Sequence, residues 1–227
     1  MSLTKIKSQK KMKNTNNIPT KQITEVELKA ILASHSLWLR NEPNGIQGDL
    51  SWLDLTNLDL SNKLFDDSDL AFHSFMGLNM SNSNMEGMDL RGMDLINVDL
   101  RSANLTDANL SGMDLAGANL RNANFTNANL TGIILKIAMV FDVDFTNANL
   151  TDAKLIRSGF VRTNFAGADL TNVDFHFSSF EKCNLKTAIT EGTKFKGAFV
   201  EDDTTYDDSL HIETIPAGAI MHFVINS

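Results

Sequence analysis

The side chains best able to do chemistry are few and far apart. The histidines are His35, His73, His176, His211 and His222, and the one cysteine is Cys183. A zinc site needs His and Cys ligands at short, recurring spacings. These five histidines show no such spacing and no cysteine partner, so no metal and no cofactor is expected. His73 and Cys183 each stand two residues before an apolar position of a regular series, which marks them as interior residues rather than as a nucleophile or a base. Glycines such as Gly87, Gly92, Gly112 and Gly117 recur singly where turns want them, not in a phosphate-binding loop. Aspartates are abundant, yet they recur by rule along an outer wall with no cleft to perturb their pKa. No catalytic residue is expected, and the chain reads as a non-enzyme.

The rule they follow has a period of five. From Leu50 to Leu185 every position divisible by five is apolar: of 28 such centres, 17 are Leu, 8 Phe, 2 Met and one Val. Asp or Asn stands just before the centre in 21 of the 28, and a small or apolar residue, often alanine, stands two before it. Polar residues fill the two places after it. Five matches neither the helical period of 3.6 nor the strand period of 2. It does match a short strand plus a turn, in which the centre and the residue two before it face inward and the Asp or Asn between them faces out. Repetition wraps the chain into a coil, and stacked coils bury what one pentad cannot.

The number of sides follows less directly. A square coil stacks residues twenty apart and a triangular one residues fifteen apart. Phe centres occur at both spacings, while the outward residues lean towards twenty, which sets Asp142 beside Arg162 and Trp52 beside Phe72.

Composition removes several classes. In 227 residues no apolar run approaches the roughly 18 of a membrane span, and no signal-peptide core opens the chain. One cysteine forms no internal disulfide, and a formal charge of −8 argues against direct nucleic-acid binding. A cytoplasmic protein without membrane contact is expected.

The repeat unit, as in Ala103-Asn104-Leu105-Thr106-Asp107 and Ala118-Asn119-Leu120-Arg121-Asn122, resembles that of the pentapeptide repeat family. The resemblance covers residues 48–200. It implies an all-β solenoid, a right-handed quadrilateral β-helix with twenty residues per coil and about seven coils. It implies no single function. Some members mimic the DNA duplex and bind DNA gyrase or topoisomerase IV, giving quinolone or toxin resistance, and several dimerise through their C-termini.

Four segments follow. Residues 1–22 form a disordered basic tail with six lysines and no acid. Residues 23–47 hold a capping helix and turn, with Thr24 and Glu27 as a capping box and Ile23 and Leu28 as a staple. On this helix Leu28, Ile31, Leu32, His35 and Leu39 share a face. It is expected to close the open first coil, lying on Trp52 and Phe72. Residues 48–200 form the β-helix, with a bulge near Lys63-Leu64-Phe65. Residues 201–227 form a C-terminal cap or a homodimer contact.

Two surfaces are candidates for binding. In 133–141, Ile134, Ile137, Met139 and Phe141 occupy outward slots that the pattern makes polar, and Ile156 and Val161 fall close by. An exposed apolar patch of this kind marks a contact with a partner or a second copy, the alternative being a local protrusion that buries these side chains itself. The other is an acidic face built from Asp49, Asp69, Asp89, Asp94 and Asp99. Residues 48–203 carry 22 acids and 12 bases, a net of −10. Spread over a rod about 36 Å long, that is one charge per roughly 3.6 Å, against about one per 1.7 Å in duplex DNA. The expected function is therefore a protein-interaction solenoid, with topoisomerase mimicry as the alternative. The unbroken phase of five predicts no long insertion of the kind that topoisomerase-protecting members often carry, which favours the first reading.

Overall fold

The structure, a computed structural model, describes residues 21–56, 58, 75–201 and 203–206. The residues before Lys21, the irregularity expected at Lys63-Leu64-Phe65, Asp69, His73 and the residues beyond Tyr206, expected as a C-terminal cap or dimer contact, lie outside them.

The elements are β1 (Lys21–Gln22), α1 (Glu25–Leu39), β2 (Leu53–Asp54), β3 (Met139–Phe141), β4 (Gly159–Val161), β5 (Ser179–Glu181) and β6 (Phe199–Val200). Most of the chain pairs through single parallel bridges, which stack residues twenty apart. One column runs Asn84, Asn104, Asn124, Asp144, Asn164, Asn184, and another runs Asn109, Asn129, Asn149, Asp169, Ile189. Four pentads therefore make one coil. Backbone hydrogen bonds tie each coil to both neighbours, as when Asn104 N donates to Ser83 O and Leu105 N to Asn124 O.

Each pentad shows why its residue types are needed. The centres and the small residues two before them are buried in one continuous core. The outward Asp or Asn folds over its own corner: Asn124 Oδ1 accepts from Thr126 N and Thr126 Oγ1, and Asp54, Asn104, Asn129 and Asp144 do the same. This is the side-chain turn for which Asp and Asn are suited. The second corner residue has positive φ, as at Asn122 (60°) and Gly112 (74°), so Gly, Asn and Asp recur there.

The Phe centres resolve the two spacings. Rings twenty apart stack, Phe125 on Phe145 and Phe145 on Phe165 at 5.3 Å, Phe160 on Phe180 at 5.1 Å. Rings fifteen apart meet edge-on across the coil interior, as Phe160 does with Phe175 at 5.5 Å. Polar residues in inward slots are satisfied on the preceding coil: Ser158 Oγ donates to Leu135 O, Ser178 Oγ to Leu155 O and Cys183 Sγ to Phe160 O. Among the described residues no buried side-chain nitrogen or oxygen lacks a partner.

Two departures from the twenty-residue register correct the expectation of a coil without insertions. Asp49 pairs with Asn79 and Asp54 with Asn84, thirty residues apart. Between the first coil and the next there are therefore ten residues beyond the usual twenty. Ten is two pentads, so an insertion of that size leaves the phase of five intact and hides in the sequence. Trp52 N–H donates to Ser81 O, beside Asn82, and Phe72, the neighbour expected for Trp52, lies outside the described residues. At the other end Asn184 pairs with Thr205, a step of twenty-one, where the pattern dissolves.

Helix α1 forms as its sequence predicts. Thr24 and Glu27 make the reciprocal capping box, and Leu28, Leu32 and His35 are buried. His35 Nδ1 accepts from Gly48 N at 3.1 Å, and its Nε2 lies 2.8 Å from Met76 O. Gln47 Nε2 donates to Gly77 O. The helix thus rests against residues 76–78. Ahead of it, Lys21 and Gln22 are not tail: they form β1, paired parallel with Leu53 and Asp54 of β2.

Candidate interaction face

One wall differs from the other three. Its column is Asn79, Asp99 and Asn119, then Met139, Gly159, Ser179 and Phe199. Where Asp and Asn give way, the corner-folding side chain is lost and the bridges lengthen into the sheet β3-β4-β5-β6. The rest of the apolar set gathers round this wall. Phe141 and Val161 stand in register on β3 and β4 at one corner. Ile137 and Ile156 stand at the other, joined by Ile137 N donating to Ile156 O. Ile134 lies in the adjoining column between Asp114 and Lys154.

Ile137 is the sharpest feature. It is 76 % exposed with φ of 56°. A β-branched residue in the left-handed region is a real outlier, costing about 1–2 kcal/mol. The residues above and below it in that corner are Gly117 and Arg157. Phe177 repeats the departure two coils on, with φ of 59° and 46 % exposure, its ring lying over Gly197. Phe177 belongs to the patch and is absent from the sequence-based set. Its slot, two after the centre Phe175, is the same as that of Ile137 after Leu135, and that slot is the signal for it.

Arginines accompany these side chains. Arg121 Cζ lies 5.2 Å over the Phe141 ring and Arg157 Cζ 5.9 Å over that of Phe177. Arg101, Arg121, Asn119, Gly117, Ile137 and Phe141 line a groove of 450 Å³. Along this wall and its two corners, residues 96–197 place Arg101, Arg121, Lys136, Arg157, Arg162, Lys182 and Lys196 against Asp99, Asp142 and Glu181, a net of +4. The same span holds ten acids and ten bases in all, so its other three walls carry −4.

Four of the five expected acids are described, Asp69 lying outside the described residues. Asp49 and Asp99 share the column of Asn79 on the wall just described. Asp89 belongs to the column of Asn109, and Asp94 lies twenty residues before Asp114 of a third column. The described four therefore do not form one face. Two are paired through their own corners: Asp89 with Arg91 at 2.7 Å and Asp99 with Arg101 at 2.6 Å, both bidentate. The hydrogen-bonded Arg91 guanidinium holds the Asp89 carboxyl below the usual carboxylate range. Asp142 and Arg162 form the predicted cross-coil pair at 2.5 Å, and Arg162 lowers the Asp142 pKa.

Nothing described resembles a catalytic centre. Burial pushes the Cys183 thiol up to about 11, the reverse of an activated thiolate. Among the described residues no cluster could hold a metal ion, and no helix is long and apolar enough to cross a membrane.

A sequence model described as pentapeptide repeats matches in eight copies, at residues 74–112, 103–136 and 144–186. No curated protein matches the chain. Among solved structures it is similar to HetL, a pentapeptide repeat protein involved in heterocyst differentiation regulation in the cyanobacterium Nostoc sp. strain PCC 7120. That match has 21% identity, covers 67% of this chain and 76% of that one, and has a TM-score of 0.41. It is also similar to trypsin-treated QnrB1, a plasmid-mediated fluoroquinolone resistance protein, with 17% identity, 69% and 77% covered, and a TM-score of 0.48. A third, a pentapeptide repeat protein from Nostoc, has 23% identity, 59% and 84% covered, and a TM-score of 0.32.

Proposed function

This chain belongs to the pentapeptide repeat family, and from that premise we propose that it is a non-enzymatic interaction module whose contact is the apolar wall of Ile137, Phe141, Val161 and Phe177. Ile134, Ile156 and Met139 complete or flank the contact. One observation carries the reading. Ile137 is an exposed, β-branched side chain held in a left-handed corner where Asn97 and Gly117 sit in the coils before it. Local strain of this kind persists at functional positions, and a contiguous apolar patch on a folded wall is a contact. In this reading the coil is right-handed, as in the family, and α1 caps its first end. The contact of His35 on the helix with Met76 O supports that placement.

The test is differential capture from cells expressing the chain. The wild type retains a partner that the double variant Ile137→Asn, Phe177→Asn loses, with circular dichroism unchanged. Equal capture by both proteins would refute the wall as the contact.

A second reading, topoisomerase mimicry, is favoured by the thirty-residue register of the first coil, because it removes the unbroken coil that spoke against it. Against it stand the Arg91 and Arg101 partners of Asp89 and Asp99 and the dispersal of the acids over three columns. Gyrase and topoisomerase IV assays at two salt concentrations, with and without a quinolone, separate the readings. Mimicry predicts salt-sensitive inhibition or drug protection that Asp49→Lys, Asp94→Lys abolishes. No effect at micromolar protein would remove it.

A further inference from the structure

We infer that the wall of Ile137 and Phe177 takes an acidic protein segment that carries at least one large apolar side chain. The inference rests on the contact-wall reading above and names the chemistry of the partner.

The arginines carry the argument. Arg91, Arg101 and Arg162 each hold an aspartate. Arg121 and Arg157 make no ion pair within 4 Å of any described residue, although Arg121 is near enough to Asp142 to help hold its carboxyl below the usual range. Each instead lies over a phenylalanine ring that is itself at the surface, Arg121 on Phe141 and Arg157 on Phe177. A guanidinium stacked on a ring is ordered in advance and keeps its N–H edge free, and that edge fits a carboxylate in bidentate fashion. Ordering before binding lowers the cost of association. Arginine and aromatic side chains are also the commonest energetic anchors of protein interfaces.

Sign and shape agree. Between residues 96 and 197 the wall carries +4, and it stays at +2 when Asp49 and Glu201 at its ends are counted, within a chain of −8, so its field draws an acidic partner while the other walls repel acids and orient the encounter. The 450 Å³ groove is lined by both apolar and cationic side chains, Ile137 and Phe141 with Arg101 and Arg121, which suits an apolar side chain with a carboxylate beside it. Nucleic acid is the other ligand that basic and aromatic groups take. The −4 of the neighbouring walls opposes a phosphate backbone, and the side chains with unmet need are Ile137 and Phe177, which seek apolar partners rather than phosphate.

The experiment is an array of 12-residue peptides of net charge −4 to +4, each with zero, one or three Leu, Phe or Trp residues, probed with the purified full chain. A dT12 oligonucleotide is titrated in parallel. Binding to peptides that are both acidic and apolar is expected, weakened about tenfold or more by Arg121→Gln, Arg157→Gln and by Ile137→Asn, and weakened by salt. No bound peptide, equal binding to basic peptides, or tighter binding to dT12 would overturn the inference. Loss with Ile137→Asn but not with the arginine variants would overturn the acidic partner and leave the contact wall standing. Indifference to all three substitutions would overturn both.

Discussion

Ile137 and His35 are where single side chains can be tested. Replacing Ile137 by Asn, the residue type at Asn97 and Asn122, removes a β-branched group from positive φ, so stability rises by about 1 kcal/mol. Chemical denaturation checks this, and a loss of similar size would mean that Ile137 packs in the isolated protein. His35 is buried, and desolvation holds its pKa below 6.5. The folded state thus binds fewer protons than the unfolded one. Its contribution is complete above about pH 6.5 and is lost as pH falls through the lowered folded value. Protonated Nδ1 no longer accepts from Gly48 N. Trp38, stacked on His35 at 5.3 Å, reports the change by fluorescence. Melting should occur at higher pH in the wild type than in His35→Gln, and identical acid transitions would contradict the assignment. The breach of pattern at Ile137 was legible because an apolar residue stands in a polar slot. At Phe177 the same breach is masked by Phe175 and Phe180 on either side, and only the fixed phase tells an outward ring from an inward one.

Helix α1 was legible from its capping box, staple and apolar face, because those signals are local. Thr24→Ala removes the side chain that accepts from Glu27 N, and a loss of about 1 kcal/mol in thermal or urea unfolding is expected. No loss would show that α1 contributes nothing to the fold's stability. Strand β1 was not legible. Two residues carry no periodicity, and its pairing with β2 depends on a contact thirty-two residues away. The thirty-residue register escaped for a different reason. A stack of coils is read modulo five from sequence, and an insertion of two whole pentads returns the chain to the same phase. The four-sided coil was supported by Asp142 and Arg162, while Phe spacing could not decide it, since rings touch both twenty and fifteen residues apart.

Across the whole molecule, stability is a sum of neighbouring coils, so the Phe-filled half should resist truncation more than its size suggests. Phe165 touches Phe145, Phe160, Phe175 and Phe180, and Phe165→Ala is expected to cost about 3–5 kcal/mol. A urea midpoint within experimental error of the wild type would contradict that packing. The proposed function rests at this scale on asymmetry. Three walls keep the Asp or Asn rule with single exceptions such as Ile134, Lys154 and Ile189. The fourth abandons the rule, exposes apolar side chains and reverses the sign of charge. The most direct test places a photoactivatable benzoyl-phenylalanine at single positions around one coil, namely 129, 134, 137 and 141. Cells expressing each variant are irradiated and the adducts resolved by mass. Adducts to one protein at 137 and 141, with none at 129, are the predicted result. Adducts at 129 equal to those at 137, or none at 137 and 141, would contradict the assignment of this wall as the contact.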